Sequence, residues 1–201
     1  MQVKKATVRQ AMLVSAREEF FKHGFAAASM HTIAARAGIA VGNLYRYYRN
    51  KVDLFEAVVK PAYDRIIDLV LLYKPEKERI SGSGVSALVD IIRIQLGNLT
   101  RIMVENRVEL LILVDQSGGT RFAESRGALV GAIAAQLKTA LVQAGKLDGK
   151  ILNDTVVRSL AVGLVEGILD IVRTYRSPAA INKATAIYIG VFMNGATALF
   201  R

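Results

Sequence analysis

Apolar residues recur at intervals of three and four along nearly the whole chain, and no stretch of strict alternation competes with them. That period predicts an all-helical protein. A first helix is expected over 7–23, with Leu13, Ala16 and Phe20 on one face and Arg17, Glu18 and Lys22 on the other. Gly24 then stands where a helix C-terminus takes a left-handed residue. A second, short helix is expected over 30–37, with Ser29 in the N-cap position and Gly38 closing it. A third follows over 41–48. Asn50 can cap a fourth, which begins at Lys51 and passes Pro61, where a kink or break is expected.

Residues 74–84, KPEKERISGSG, are polar and rich in Gly and Ser, and read as a loop. Further helices are expected over 85–104, 106–116, 120–144, 153–175 and 178–200. SGGT at 117–120, GKLDGK at 145–150 and Ser177 before Pro178 supply the breaks. The last helix carries ATAIYIGVFMNGATALF, residues 184–200, with no charge. Water cannot cover so apolar a surface helix at low cost.

Composition changes this picture by exclusion. The 201 residues contain no cysteine, so disulfides, thiolate metal sites and cysteine nucleophiles are ruled out. Two separated histidines offer no transition-metal site and no nucleophile, base and orienter set, so no catalytic residue, metal or cofactor is assigned. The start, MQVKKATVRQAM, lacks the apolar core of a signal peptide, and a cytoplasmic protein is expected.

Charge adds a partner. The net charge is +10, and residues 1–60 hold ten basic against four acidic side chains. A basic head on an apolar body suggests a polyanion, either nucleic acid or an anionic membrane surface. The local pattern favours the first. Three short helices with a glycine between the second and third make a helix-turn-helix unit, whose later helix is presented to the DNA major groove. Ile33, Ala34, Ala37, Ile39 and Leu44 are spaced to face inward. Gly42, Asn43, Tyr45, Arg46 and Tyr47 remain outward in VGNLYRYYRNK, residues 41–51. An amide can read a base edge, and guanidinium and phenol groups can reach bases or phosphates.

The same stretch resembles the N-terminal domain of the TetR family of bacterial transcriptional regulators. The resemblance rests on Arg9, Met12, Leu13, Ala16, Phe20, Gly24 and Phe25, then on Ser29, Met30, Thr32, Ile33, Ala34, Ala37, Gly38 and Ile39, and finally on Gly42 to Tyr45, Tyr47, Tyr48, Asn50, Lys51 and Leu54. It implies that Asn43, Tyr45 and Arg46 lie at the groove, that Tyr47 and Lys51 hold phosphates, and that Ser29 and Thr32 open the preceding helix beside the backbone. With Val41 and Gly42 these residues are the candidate DNA contacts. Ala40 stands where the family usually has serine, and Tyr48 where it commonly has phenylalanine.

The expected organisation is a helix-turn-helix head over 1–52 and a helical ligand-binding and dimerisation domain over 53–201. Gly163 and Gly167, one turn apart, and Ile189, Phe192 and Met193 on the uncharged last helix are candidates for a homodimer interface. Tyr63, Gln95 and Asn98 are candidates for binding a small-molecule effector in the body. The expectation is a ligand-responsive regulator, a repressor, that binds a palindromic double-stranded operator as a homodimer. The alternative is a basic helical protein lying on anionic membranes. The uncharged run falls short of the ~20 strongly apolar residues of a spanning helix.

Overall fold

The computed structural model describes residues 2–71, 94, 97–143 and 153–198, and among the described residues all regular structure is helical. The helices are α1 (Gln2–Ala27), broken by a non-helical kink at Gly24, α2 (Met30–Arg36), α3 (Val41–Tyr47), α4 (Lys51–Leu71), α5 over 97–105, α6 (Arg107–Asp115), α7 (Ser125–Gln143), α8 (Asp154–Thr174) and α9 (Pro178–Ala198). No helix among the described residues is long and apolar enough to cross a membrane.

Three features depart from expectation for identifiable reasons. α1 begins five residues earlier than its amphipathic pattern suggested, because residues 2–6 contain neither Gly nor Pro to stop it. α4 runs through Pro61 as one helix. The missing N–H costs about 3 kcal/mol. Val58, Val59, Ala62 and Ile66 are buried around it, each contributing about 1.5–3 kcal/mol for the larger side chains, so burial wins. The N-terminus of α7 falls at Ser125 rather than residue 120 because 117–125 is knotted into turns. Thr120 Oγ1 donates to the Ser117 carbonyl at 2.8 Å and accepts from the Phe122 N–H at 3.1 Å.

Two compact units emerge. The first comprises Met1–Asp64 together with Asn106–Arg126. Its core stacks Met12, Ala16 and Phe20 of α1, at four-residue spacing, on Ile33 and Ala34 of α2, Leu44 of α3 and Leu54, Phe55, Val58 and Val59 of α4. Ile112 and Leu113 of α6 and Phe122 belong to the same core. Phe55 is the centre of an aromatic cluster, with ring centroids 5.0 Å from Phe20, 5.2 Å from Phe25 and 6.1 Å from Phe122.

The second unit comprises Arg65–Glu105 and Gly127–Arg201. α8 is its most regular member: Val157, Ala161, Leu164, Val165, Ile168, Leu169 and Val172 are buried along one stripe. Asn153 caps it, its Oδ1 accepting from the N–H groups of Thr155 and Val156. α8 packs on α9, which buries Ile181, Thr185 and Ile189. Tyr188 of α9 lies against Gly167, and its hydroxyl donates to the Gly163 carbonyl at 2.5 Å.

Candidate nucleic-acid interface

The head is assembled by local chemistry that sets α3 at a fixed angle to α2. Ser29 is extended (φ −108°, ψ 122°), and its Oγ accepts from the Thr32 N–H at 3.3 Å, capping α2. At the other end Gly38 takes φ 69°, which lets the Ile39 N–H reach the Ala34 carbonyl at 3.0 Å while the Ala37 N–H bonds the Ile33 carbonyl at 3.0 Å. The chain then re-enters a helix at Ala40, which offers no side-chain cap. The hydroxyl missing from that position is compensated only by the backbone, through the Asn43 N–H to the Ala40 carbonyl at 2.9 Å.

Leu44 anchors α3 by burying its whole side chain. Val41 and Tyr47 pack their half-buried side chains on the same core, and the remaining residues of the helix are presented outward. Gly42, Asn43, Tyr45 and Arg46 are exposed, Tyr45 by 47%. Val41, Tyr47, Ser29 and Thr32 are half-buried along the same α2–α3 unit. Tyr48 is buried, so its phenol serves packing, and it accepts a hydrogen bond from Arg9 Nε at 3.4 Å. That bond raises the Arg9 guanidinium above its ordinary pKa.

Lys51 is placed differently from the outward side chains of α3. Its ammonium donates to the carbonyls of Ala26 and Ala28 at 2.9 and 3.2 Å and lies 4.8 Å above the Phe25 ring centroid. Ala26 is in the last turn of α1 and Ala28 in the turn that leads from it to α2. Lys51 therefore ties the start of α4 to that turn. Asn50 caps α4 through the Asp53 N–H at 2.8 Å.

The residue that sequence reasoning missed is Glu19. It is 3% exposed, on the buried face of α1, and its Oε1 accepts from the Ser29 N–H at 3.2 Å. Its Oε2 is 3.4 Å from Arg36 Nη1 and 3.9 Å from His23 Nε2. One carboxylate thus holds both the cap of α2 and the cation in its last turn. The only sequence signal was an acid on an otherwise apolar stripe, four residues before His23.

Of the effector candidates, Gln95 lies outside the described residues. Tyr63 belongs to the first unit, half-buried, with its ring edge-on to Phe122 at 5.1 Å. Asn98 is half-buried on α5 in the second unit. Of the dimer candidates, Gly167 is covered within its own chain by Tyr188, and Ile189 is 8% exposed. Gly163 is exposed, Phe192 is half-buried, and the Met193 side chain lies outside the described residues. The apolar side chains left uncovered on α9 are instead Ile187 and Val191, 61% and 69% exposed, with Val162 of α8 at 37%.

Comparison with known proteins agrees with this geometry. Residues 12–58 match the profile of the bacterial regulatory proteins of the tetR family. The HTH-type transcriptional activator FasR of Mycolicibacterium smegmatis is 36% identical over 59 residues, a match spanning 29% of this chain and 27% of that protein. Among solved structures, SCO3833 of Streptomyces coelicolor A3, a member of the TetR transcriptional regulator family, superposes with a TM-score of 0.67 at 18% identity, covering 92% of this chain and 90% of its own. MexZ, a key repressor responsible for antibiotic resistance in Pseudomonas aeruginosa, gives 0.63 at 20% identity over 96% and 94%. NalD, the secondary repressor of the MexAB-OprM multidrug efflux pump in the same organism, gives 0.58 at 21% over 97% and 98%. At these identities the structures establish a shared fold. Residues 12–58 thus match the DNA-binding head of the bacterial tetR-family regulators, and the chain shares the helical fold of solved members of that family.

Proposed function

We propose that this protein is a cytoplasmic, ligand-responsive transcriptional repressor that binds a palindromic operator as a homodimer and leaves it when a small molecule binds the body. The observation that carries the reading is the division of α3: an apolar root, Leu44 with Val41 beside it, an exposed set of Gly42, Asn43, Tyr45 and Arg46, and Tyr47 half-buried at its edge. Asn43 and Arg46 have the donors and acceptor to read base edges, while Tyr47, Ser29 and Thr32 sit beside the backbone. Lys51 supports this surface from behind by fixing the α1–α2 turn. Repression is the sign carried by MexZ and NalD; FasR carries the other.

The functional division we adopt is a head over 1–52 and a body over 53–201. Pairing of two bodies through α8 and α9 would cover Ile187, Val191 and Val162 along with Gly163 and Phe192. Tyr63, Gln95 and Asn98 remain the candidates for touching the effector. An effector that binds the body better in one head spacing than another shifts the dimer away from the spacing that matches two half-sites. No chemistry on the effector is required.

The test is selection of bound duplexes from a random pool, followed by titration of the enriched duplex against anionic vesicles at equal salt. Enrichment of a two-fold symmetric site, with preference lost in Asn43→Ala or Arg46→Ala, is the expected result. No enrichment, or tighter binding to vesicles than to any duplex, would overturn the reading.

A further inference from the structure

α1 starts ten residues before the segment that matches the family profile, and this lead-in carries Lys5 and Arg9 one turn apart. They form one wall of an open groove of about 800 Å³ whose other wall is made by Asn43, Arg46, Tyr47 and Tyr48. Three of its nine lining residues are cations and none is an acid. Elsewhere in the same unit Arg17, Arg36, Arg49, Lys60 and Arg121 each lie within 4.0 Å of a carboxylate, at 3.4, 3.4, 2.9, 2.6 and 2.7 Å. Among the described residues, Lys5, Arg9 and Arg46 have no such partner; outside the groove the same holds for Lys22 and for Lys51, whose ammonium is bonded to carbonyls.

The geometry of Arg9 narrows the ligand. Its Nε–H is donated to Tyr48 Oη, which fixes the plane of the guanidinium and leaves both terminal amino groups for an acceptor. A planar fork of this kind matches a phosphate oxygen pair. The groove opens directly beside Asn43 and Arg46, so an anion within it lies next to whatever α3 touches. A continuous polyanion satisfies both conditions at once.

We propose that the α1–α3 groove is a backbone-phosphate site for duplex DNA, in which Lys5 and Arg9 grip one strand while α3 faces the bases, with Tyr48 as the positioning residue for Arg9. This rests on the DNA-binding reading given above. It assigns to the phenol at position 48 a polar task that a phenylalanine there could not perform.

The experiment is salt titration and phosphate-ethylation interference on the selected duplex, using the full-length parent, Lys5→Ala, Arg9→Ala, Arg9→Lys and Tyr48→Phe. Arg9→Ala is expected to flatten the slope of log K against log salt by roughly 0.9 per head and to abolish interference at one phosphate per half-site, with base preference unchanged. Arg9→Lys should keep the slope and lose affinity several-fold. Tyr48→Phe should also keep the slope with a similar loss. Lys5 is exposed, so Lys5→Ala carries the slope test alone should Arg9→Ala fail to fold. A parent that binds no duplex overturns the DNA reading and this site with it. A parent that binds, with slope and interference pattern unchanged in both alanine variants, overturns the groove alone.

Discussion

The Tyr188 ring lies so close to Gly167 that a Cβ on that glycine would overlap its hydroxyl-bearing edge, at Cζ and Oη, whereas Gly163, one turn earlier on α8, has nothing within 4 Å of its own Cβ position. Two glycines at matching helical positions thus do different work. Gly167→Ala should destabilise the protein by about 1–3 kcal/mol through overpacking. Gly163→Ala should be neutral or stabilise by up to ~1 kcal/mol through helix propensity. Thermal denaturation of the two variants separates them, and equal melting temperatures would show that the tyrosine moves aside freely.

Tyr188 also sets a pH dependence. Burial raises its pKa above 10.0, the ordinary value for the phenol. The folded state therefore keeps a proton that the unfolded state gives up. The stability linked to this group is fully present below about pH 10 and is lost as the pH rises through the higher, folded-state value. Tyr188→Phe should cost about 0.5–1.5 kcal/mol at neutral pH from the hydrogen bond to Gly163. The gap between variant and parent should narrow above about pH 10. A gap that widens there would contradict the assignment.

Gly24 holds a backbone conformation, φ 71° and ψ 167°, that is open almost only to glycine. An alanine would also meet Gln116 Oε1 at 2.6 Å, while the neighbouring Phe25 N–H is bonded to the Gln116 carbonyl at 2.9 Å. Gly24→Ala should lower stability by about 1–3 kcal/mol in urea denaturation. Adding Gln116→Ala should recover only a minor part, because the side chain can swing away and the backbone strain cannot. Full recovery would place the whole effect in the clash.

Lys51 and Asn43 should separate cleanly. Lys51→Ala removes two bonds to the α1–α2 turn and should lower the melting temperature and weaken binding to all duplexes alike. Its salt slope should change by less than about half a unit per head, because the ammonium is already committed to carbonyls. Asn43→Ala should leave the melting temperature alone and cost about 1–3 kcal/mol on the operator with relaxed base preference. A full unit lost from the slope in Lys51→Ala would return that residue to the DNA surface.

Much of the head was legible in the sequence because its determinants are local. Ser29 and Asn50 cap the helices that follow them, and Gly24 and Gly38 adopt positive φ where helix ends demanded it. Such features act over three or four residues, so composition and order reveal them. Glu19 was not legible, since its partners Ser29 and Arg36 are ten and seventeen residues away and its role appears only when α1 and α2 are packed. The phase of α9 was hidden for another reason. Its run AIYIGVFM has no charged residue to mark the outward face, and Ile189 proved buried while Ile187 and Val191 did not. A helix apolar on every side gives periodicity nothing to measure.

Phe122, Ile112 and Leu113 complete the core around Phe55 and Phe20, although they follow Asp64 in the chain by some fifty residues. During synthesis the first sixty-four residues therefore leave the ribosome with an unfinished aromatic cluster, and the missing pieces are not made until residue 126. At about 5–20 residues per second that interval is roughly 3–12 seconds. Through it, Phe20, Phe55 and Val59 have only part of their final surroundings. The packing of α1 and α4 is therefore completed by a segment made long after them, and the helix-turn-helix between those two helices gains its full support only at that point.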